Sequence, residues 1–202
     1  MKARKVKGID PEAAAGGEVA KIVAVRLDEL CGFMPGARDP AAMHALHDMR
    51  IAAKRLRYVL ELFAPAFGPY AADAARQTKK LQDLIGEIHD CDVTRPRIDA
   101  LRVELLADDA DAVRALADDD AKDLDMALVA QAPHRAAYRG LQTLDVALAA
   151  RRDLLFERFI ARWDRLEEQH FRARLTEAIT SRSHDGNGSA APAGIPSGES
   201  LT

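Results

Sequence analysis

Between residues 46 and 63 the apolar positions of this chain recur with a helical period. At 100° per residue, Leu46, Met49, Ala53, Leu56, Leu60 and Phe63 share one face. His47, Arg50, Lys54 and Arg57 form a second stripe beside it, about 80° wide. Arg55 adds a fifth basic side chain to the same segment. The pattern dictates a helix that packs by one face and carries a row of cations along the next. Like charges at helical spacing repel one another. A row of this kind either has an anion to receive or is answered by acids on neighbouring helices, and the segment alone leaves both readings open.

The remaining sequence extends the helical pattern. A first helix is expected from about Gly17 to Phe33, with Val19, Ile22, Val23, Leu27 and Leu30 inward. MPGARDP reads as a turn, with Asp39-Pro40 opening the cation-bearing helix as cap and first position. That helix is expected to stop near Ala64-Pro65. Gly68-Pro69 opens a third, about Tyr70 to Ile88, with Leu81, Leu84, Ile85 and Ile88 as its core side. Pro96 allows a fresh start before the amphipathic segment 97–106, and the Asp- and Ala-rich stretch 107–125 reads as short solvated helices or an acidic connector. After Pro133 comes the longest periodic segment, 136–180, as one long helix or two. Its stripe runs through Leu141, Leu144, Leu148, Leu155, Phe159, Trp163, Leu166 and His170. The expected organisation is a basic arm over residues 1–16, a helical domain over 17–180, and a Ser/Gly/Ala/Pro-rich disordered tail over 181–202.

Composition supports an all-α protein of about five to six helices. Alanine is abundant, while Gly and Pro sit mostly at ends and breaks. Cys31 and Cys91 cannot build a disulfide framework, which favours a reducing compartment. MKARKVKGIDPE has no apolar run behind its charges, and no segment approaches a membrane span, so a cytoplasmic protein is expected. Net charge is −3, but residues 1–97 carry 16 basic and 13 acidic side chains, and residues 98–202 carry 13 and 19. A mildly acidic protein does not gather polyanions by its overall field, so any anion binding must come from a local patch.

Arg50, Arg55 and Arg57 offer guanidinium forks suited to phosphate, Lys54 a point charge, and His47 a group that titrates near neutrality. Lys79 and Lys80 on the third helix could continue the patch if the two helices pack antiparallel, as a short connection favours. Arg152 falls inside the apolar stripe of the C-terminal segment and Arg151 on its edge. An arginine there reaches solvent along its stem, meets a carboxylate, or lines a basic channel. His47-Asp48 and His89-Asp90, with His44 and Asp92 close by, are the residue types of a divalent-metal phosphohydrolase. The cations beside His47 oppose a metal ion, and Asp90 and Asp92 are more simply read as caps or ion-pair partners. No P-loop, GxGxxG, GxSxG or HExxH appears, so neither a cofactor nor a metal is expected.

Two blocks, HDMRIAAKRLRYVLELF and KKLQDLIGEIHDCDV, resemble in order and spacing the two signatures of the CHAD domain, the conserved histidine α-helical domain. The first block resembles H-x-x-R-[VI]-x-x-[KR]-R-L-R, the second LG-x-x-R-D-x-D-V. The resemblance implies four-helix bundles around a basic pore or groove, binding of inorganic polyphosphate, no catalysis by the domain itself, and association with polyphosphate granules. Carried over by residue, it places polyanion contacts on His47, Arg50, Lys54, Arg55, Arg57, Lys79 and Lys80. Arg151 and Arg152 are added from the long helix. His89 stands where the second signature has Arg, which makes that contact weaker or pH-dependent. The family domain has two related halves, each with a basic helix, and this chain has one H-x-x-R helix. It therefore resembles a short or half-length member, for which pairing with a second copy would restore the other half. The E-x-E-x-K motif of the CYTH domain, often fused to CHAD, is absent. Nucleic acid is disfavoured as a partner, because the basic helix offers one aromatic, Tyr58, where base stacking wants more.

Overall fold

The computed structural model describes residues 2–13, 15–118 and 122–185. Among these the chain is all-α, with six α-helices and no strand: α1 Ala15–Gly32, α2 Met34–Ala37, α3 Met43–Phe67, α4 Pro69–Ala115, α5 Arg135–Glu168 and α6 Phe171–Asp185. A 3₁₀ turn, Met126–Gln131, lies between α4 and α5 and is capped by Asp125, whose side chain accepts from the Ala127 N–H. No helix of the described residues is long and apolar enough to cross a membrane.

Several boundaries differ from the sequence expectation. α3 begins at Met43 rather than at Pro40, because the Asp39 carboxylate accepts from the Ala41 N–H and holds 39–42 as a turn. Pro65 is absorbed into the end of α3. The helix stops at Gly68, which takes a left-handed φ of 85° and donates its N–H to the Ala64 carbonyl. Pro69 then opens α4. Pro96 does not start a new helix: α4 runs through it to Ala115 for 47 residues, so the longest helix is central rather than C-terminal. A proline removes one backbone donor, and buried apolar side chains stand on both sides of it, Ile88 and Cys91 before and Ile98 after. The C-terminal segment is broken at His170, an exposed non-glycine residue at φ 53°, so His170 lies in the turn that ends α5 and does not continue its apolar stripe. α6 continues to Asp185, four residues beyond Ser181. The remainder of the expected tail, residues 186–202, lies outside the described residues.

The chain divides into two compact units. The first comprises residues 1–32, 52–79 and 167–202. Here α1 packs on α6, and the buried side chains include Val23, Leu27, Leu30, Leu56, Leu60 and Leu175. The basic arm lies along α1: the Arg4 backbone N–H donates to Glu29, and Lys21 Nζ donates to the Gly8 carbonyl. Cys31 is half-buried, and burial pushes its thiol up to about 11, so it is protonated at neutral pH.

The second unit comprises residues 33–51 and 80–166. Its core holds Leu46 and Met49 from α3, Leu81, Ile85, Ile88 and Cys91 from α4, and Leu155, Phe159 and Trp163 from α5. Beyond Ile98 the distal part of α4 and the start of α5 form a hairpin. Asp109, 6% exposed, locks it, accepting from the His134 backbone N–H, the His134 ring and the Tyr138 hydroxyl. Burial alone would raise the Asp109 carboxyl, but these donors outweigh it and hold it below its ordinary value. Burial and the Asp109 carboxylate push the Tyr138 phenol up to about 12. The lock's contribution is complete above the ordinary carboxylate range and is lost as pH falls below that range and through the depressed native value of Asp109. At the alkaline end it is lost as pH rises past the ordinary tyrosine range toward 12.

Candidate functional site

The apolar stripe of α3 is buried, with Leu46, Met49, Ala53, Leu56 and Leu60 each at most 2% exposed. That burial fixes the helix about its axis, so the cation stripe emerges beside the core. In the second unit, α3 meets α4 antiparallel. The His47 and His89 rings lie with centroids 5.0 Å apart, tilted by 50°. One turn further along α3, a Cβ added at Gly86 would lie 3.3 Å from Arg50 Nε. The pairings 47 with 89 and 50 with 86 advance on one helix as they retreat on the other. Arg50 therefore crosses α4 where α4 has no side chain. Its Nε is buried and has no hydrogen-bond partner among the described residues. A buried guanidinium N–H without an acceptor is costly, and no carboxylate answers it here.

The other predicted cations divide by what they touch. On α3, Lys54 and Arg57 both lie over the Tyr58 ring, at 5.6 and 4.6 Å from its centroid. Arg57 Nε is 3.5 Å from Glu61, an ion pair too long for a hydrogen bond. Arg55 lies about 140° round the helix from Arg50 and turns away into the first unit. There its Nη1 donates to Glu29 at 3.1 Å. Glu29 is 1% exposed and also accepts from Arg26 at 2.7 Å. Lys79 and Lys80 are both exposed on α4. Lys79 shares a helical face with Gly86, whereas Lys80 lies about 120° from it.

Arg151 and Arg152 resolve the question raised by their place in the α5 stripe. Arg152 pairs through Nε with Asp92, both side chains being about one-tenth exposed, and donates to the Pro40 carbonyl at 2.6 Å. Arg151 donates to Glu87 at 2.6 Å. Each meets a carboxylate. Asp92 is thus an ion-pair partner, and the Asp90 carbonyl accepts from the Thr94 hydroxyl. Among the described residues no three His, Cys, Asp or Glu side chains converge as a metal site requires.

Sequence reasoning missed Gly86 and Glu29. Gly86 is visible as a bare position one helical turn before His89. On the helical wheel Glu29 falls at the edge of the α1 apolar stripe and Arg26 inside it, where a charge needs a partner. The partner, Arg55, lies on another helix and is not written in the spacing.

Comparison with known protein families matches residues 4–99, just under half of the chain, to the CHAD domain. The matched stretch holds α3 and the part of α4 carrying Lys79, Lys80, Gly86 and His89. No curated protein and no solved structure matches the chain.

Proposed function

We propose that this chain, which carries a CHAD domain over residues 4–99, binds inorganic polyphosphate through the cation stripe of α3 and the facing turn of α4, without catalysis. CHAD domains are linked to polyphosphate binding in general. The observation that carries the reading is Arg50, whose buried Nε lacks an acceptor over bare Gly86, one turn from the paired imidazoles of His47 and His89. A guanidinium seated on the backbone with no carboxylate against it presents its remaining N–H groups to an incoming phosphate. Imidazole N–H groups donate to phosphate oxygens in either protonation state and add charge when protonated.

In this proposal Lys54, Arg57 and Lys79 extend the contact along the polymer, and Lys80 adds a looser exposed charge. Arg55, Arg151 and Arg152 act mainly as framework, their charges answered by Glu29, Glu87 and Asp92. Binding is multivalent and driven by counterion release, so affinity falls steeply as salt rises. The same chemistry would place the protein in the cytoplasm, at polyphosphate granules.

The competing readings are distinguishable. A metal-dependent phosphohydrolase built on the two His-Asp pairs requires stoichiometric metal in the purified protein and phosphate release from polyphosphate or nucleotides. A nucleic-acid binder needs stacking faces, and the Tyr58 ring is already overlain by Lys54 and Arg57. Titration of polyphosphate against the native chain and the Arg50→Ala/Arg57→Ala variant, with DNA as competitor, tests the proposal. Unchanged affinity in the variant sinks the site assignment, and turnover with bound metal sinks the binding-only reading.

A further inference from the structure

The basic arm is a charged segment that the α3 site leaves unused, and its backbone is clamped. The Arg4 N–H donates to Glu29, Lys21 Nζ to the Gly8 carbonyl, and the Asp10 N–H to Glu18. The arm therefore runs antiparallel to α1, six residues from Arg4 to Asp10 against eleven from Glu29 to Glu18. Eleven helical residues rise about 16 Å, and six residues of fully extended chain span at most about 20 Å. The arm is thus held nearly straight, and the side chains of an extended chain alternate between two sides. Arg4 and Val6 take the α1 side. A Cβ added at Gly32 would lie 3.2 Å from the Arg4 guanidinium, and Val6 is half-buried where the other residues of 2–13 are exposed. Lys5 and Lys7 take the opposite side, about 7 Å apart, and Lys2 is exposed before them. Among the described residues no acid pairs with any of these three lysines. Each acid of α1 is already engaged: Glu18 by Lys21, Asp28 by Arg172, and Glu29 by Arg26 and Arg55.

We propose that the arm is a second contact for polyphosphate, a strap along α1 from which Lys5 and Lys7, with Lys2, bind the polymer; this rests on the polyphosphate reading of the α3 stripe. A clamped strand presents cations on a backbone that is already ordered, so binding costs less conformational entropy than on a free tail. The strap meets α3 at Glu29, whose Oε1 accepts from both the Arg4 N–H and Arg55. Lys54, in the cation stripe, is the residue before Arg55, about 100° round the helix. A flexible polymer held at Lys54 therefore continues onto the arm within the first unit. Residues 2–13 contain no aromatic side chain, so a nucleic acid would find charge there and no stacking face.

Titration of long-chain polyphosphate against the full native chain and Lys5→Ala/Lys7→Ala, at several salt concentrations, tests it. The variant is expected to bind on the order of tenfold more weakly near physiological salt. Its slope of log affinity against log salt is expected to shrink by about 1.4, about 0.7 for each contact. The unfolding midpoint is expected to stay unchanged, since neither lysine holds the arm in place. Acetylation of the native chain gives a second reading that needs no substitution. Polyphosphate is expected to protect Lys5 and Lys7, mapped by peptide mass spectrometry, and DNA at the same salt is expected to leave them reactive. Unchanged affinity and slope in the lysine variant, beside a loss in Arg50→Ala/Arg57→Ala, overturns the strap and leaves the α3 site standing. A native chain with no affinity for polyphosphate overturns both. Equal acetylation with and without polyphosphate, or protection by DNA in its place, also overturns the strap.

Discussion

Arg50 and Arg55 sit five residues apart on one helix and have opposite surroundings. In the first unit, Arg55 and Arg26 converge on a single carboxylate, Glu29, which is buried to 1% exposure and also caps the backbone N–H of Arg4. In the second, Arg50 lies over Gly86, one turn from the paired imidazoles of His47 and His89, and no acid among the described residues pairs with it. The first arrangement spends its positive charge on holding the arm, α1 and α3 in place. The second leaves its charge for something outside the protein. The number of cations does not separate binding surface from framework; a buried acid that already answers a cation, as Glu29 answers Arg55, marks that cation as framework.

The sharpest way to break this comparison is to remove the acid. Glu29→Gln leaves two guanidinium groups around a neutral amide, their side chains 13 and 26% exposed. Loss of one partner of a buried ion pair is strongly destabilising. Because both arginines retain some water, the expected cost is about 3 kcal/mol, below the upper end for fully buried pairs. Urea unfolding measures it, and a loss under 1 kcal/mol would mean that the cluster is not framework.

Next in size is a reciprocal pair. Arg50→Ala is expected to weaken polyphosphate binding by about 2 kcal/mol, the loss of a charge-assisted hydrogen bond, and to leave stability unchanged or slightly raised, since a buried N–H without an acceptor disappears. Arg55→Ala is expected to do the reverse, lowering the unfolding midpoint with a small effect on affinity. Isothermal titration and urea unfolding on the same two variants read both columns. A common pattern in the two would erase the distinction between the regions. Salt sharpens it further: the slope of log affinity against log salt is expected to shrink by about 0.7 for each true phosphate contact removed, and so for Arg50 but not for Arg55.

The two regions were not equally legible in the sequence. The burial of Leu46, Met49, Ala53, Leu56 and Leu60 follows from period alone, because a helix face is set by residues on the same helix. The same wheel already separates Arg55 from the His47–Arg50–Lys54–Arg57 stripe. It does not show that Glu29 waits on α1 or that Asp92 waits for Arg152, since those partners are joined by tertiary packing over 26 and 60 residues of sequence. The continuity of α4 through Pro96 was hidden for a related reason. A proline is a local signal against helix, and the burial of Ile88, Cys91 and Ile98 on either side of it, which overrides it, is not local.

The smallest expected effect tests the seat rather than the charge. Gly86 lies inside α4, where alanine is favoured over glycine by up to about 1 kcal/mol, so Gly86→Ala is expected to stabilise the fold by a fraction of that amount. The new methyl would lie 3.3 Å from Arg50 Nε, and the guanidinium must move by a few tenths of an ångström. Hydrogen bonds to phosphate are directional, so affinity is expected to fall about two- to threefold while stability rises. Opposite signs in the two measurements would identify α4 as giving up helix stability at this position to hold Arg50 in place. A stabilised variant with unchanged affinity would mean that Arg50 reaches phosphate from its outer nitrogens, indifferent to the backbone beneath it.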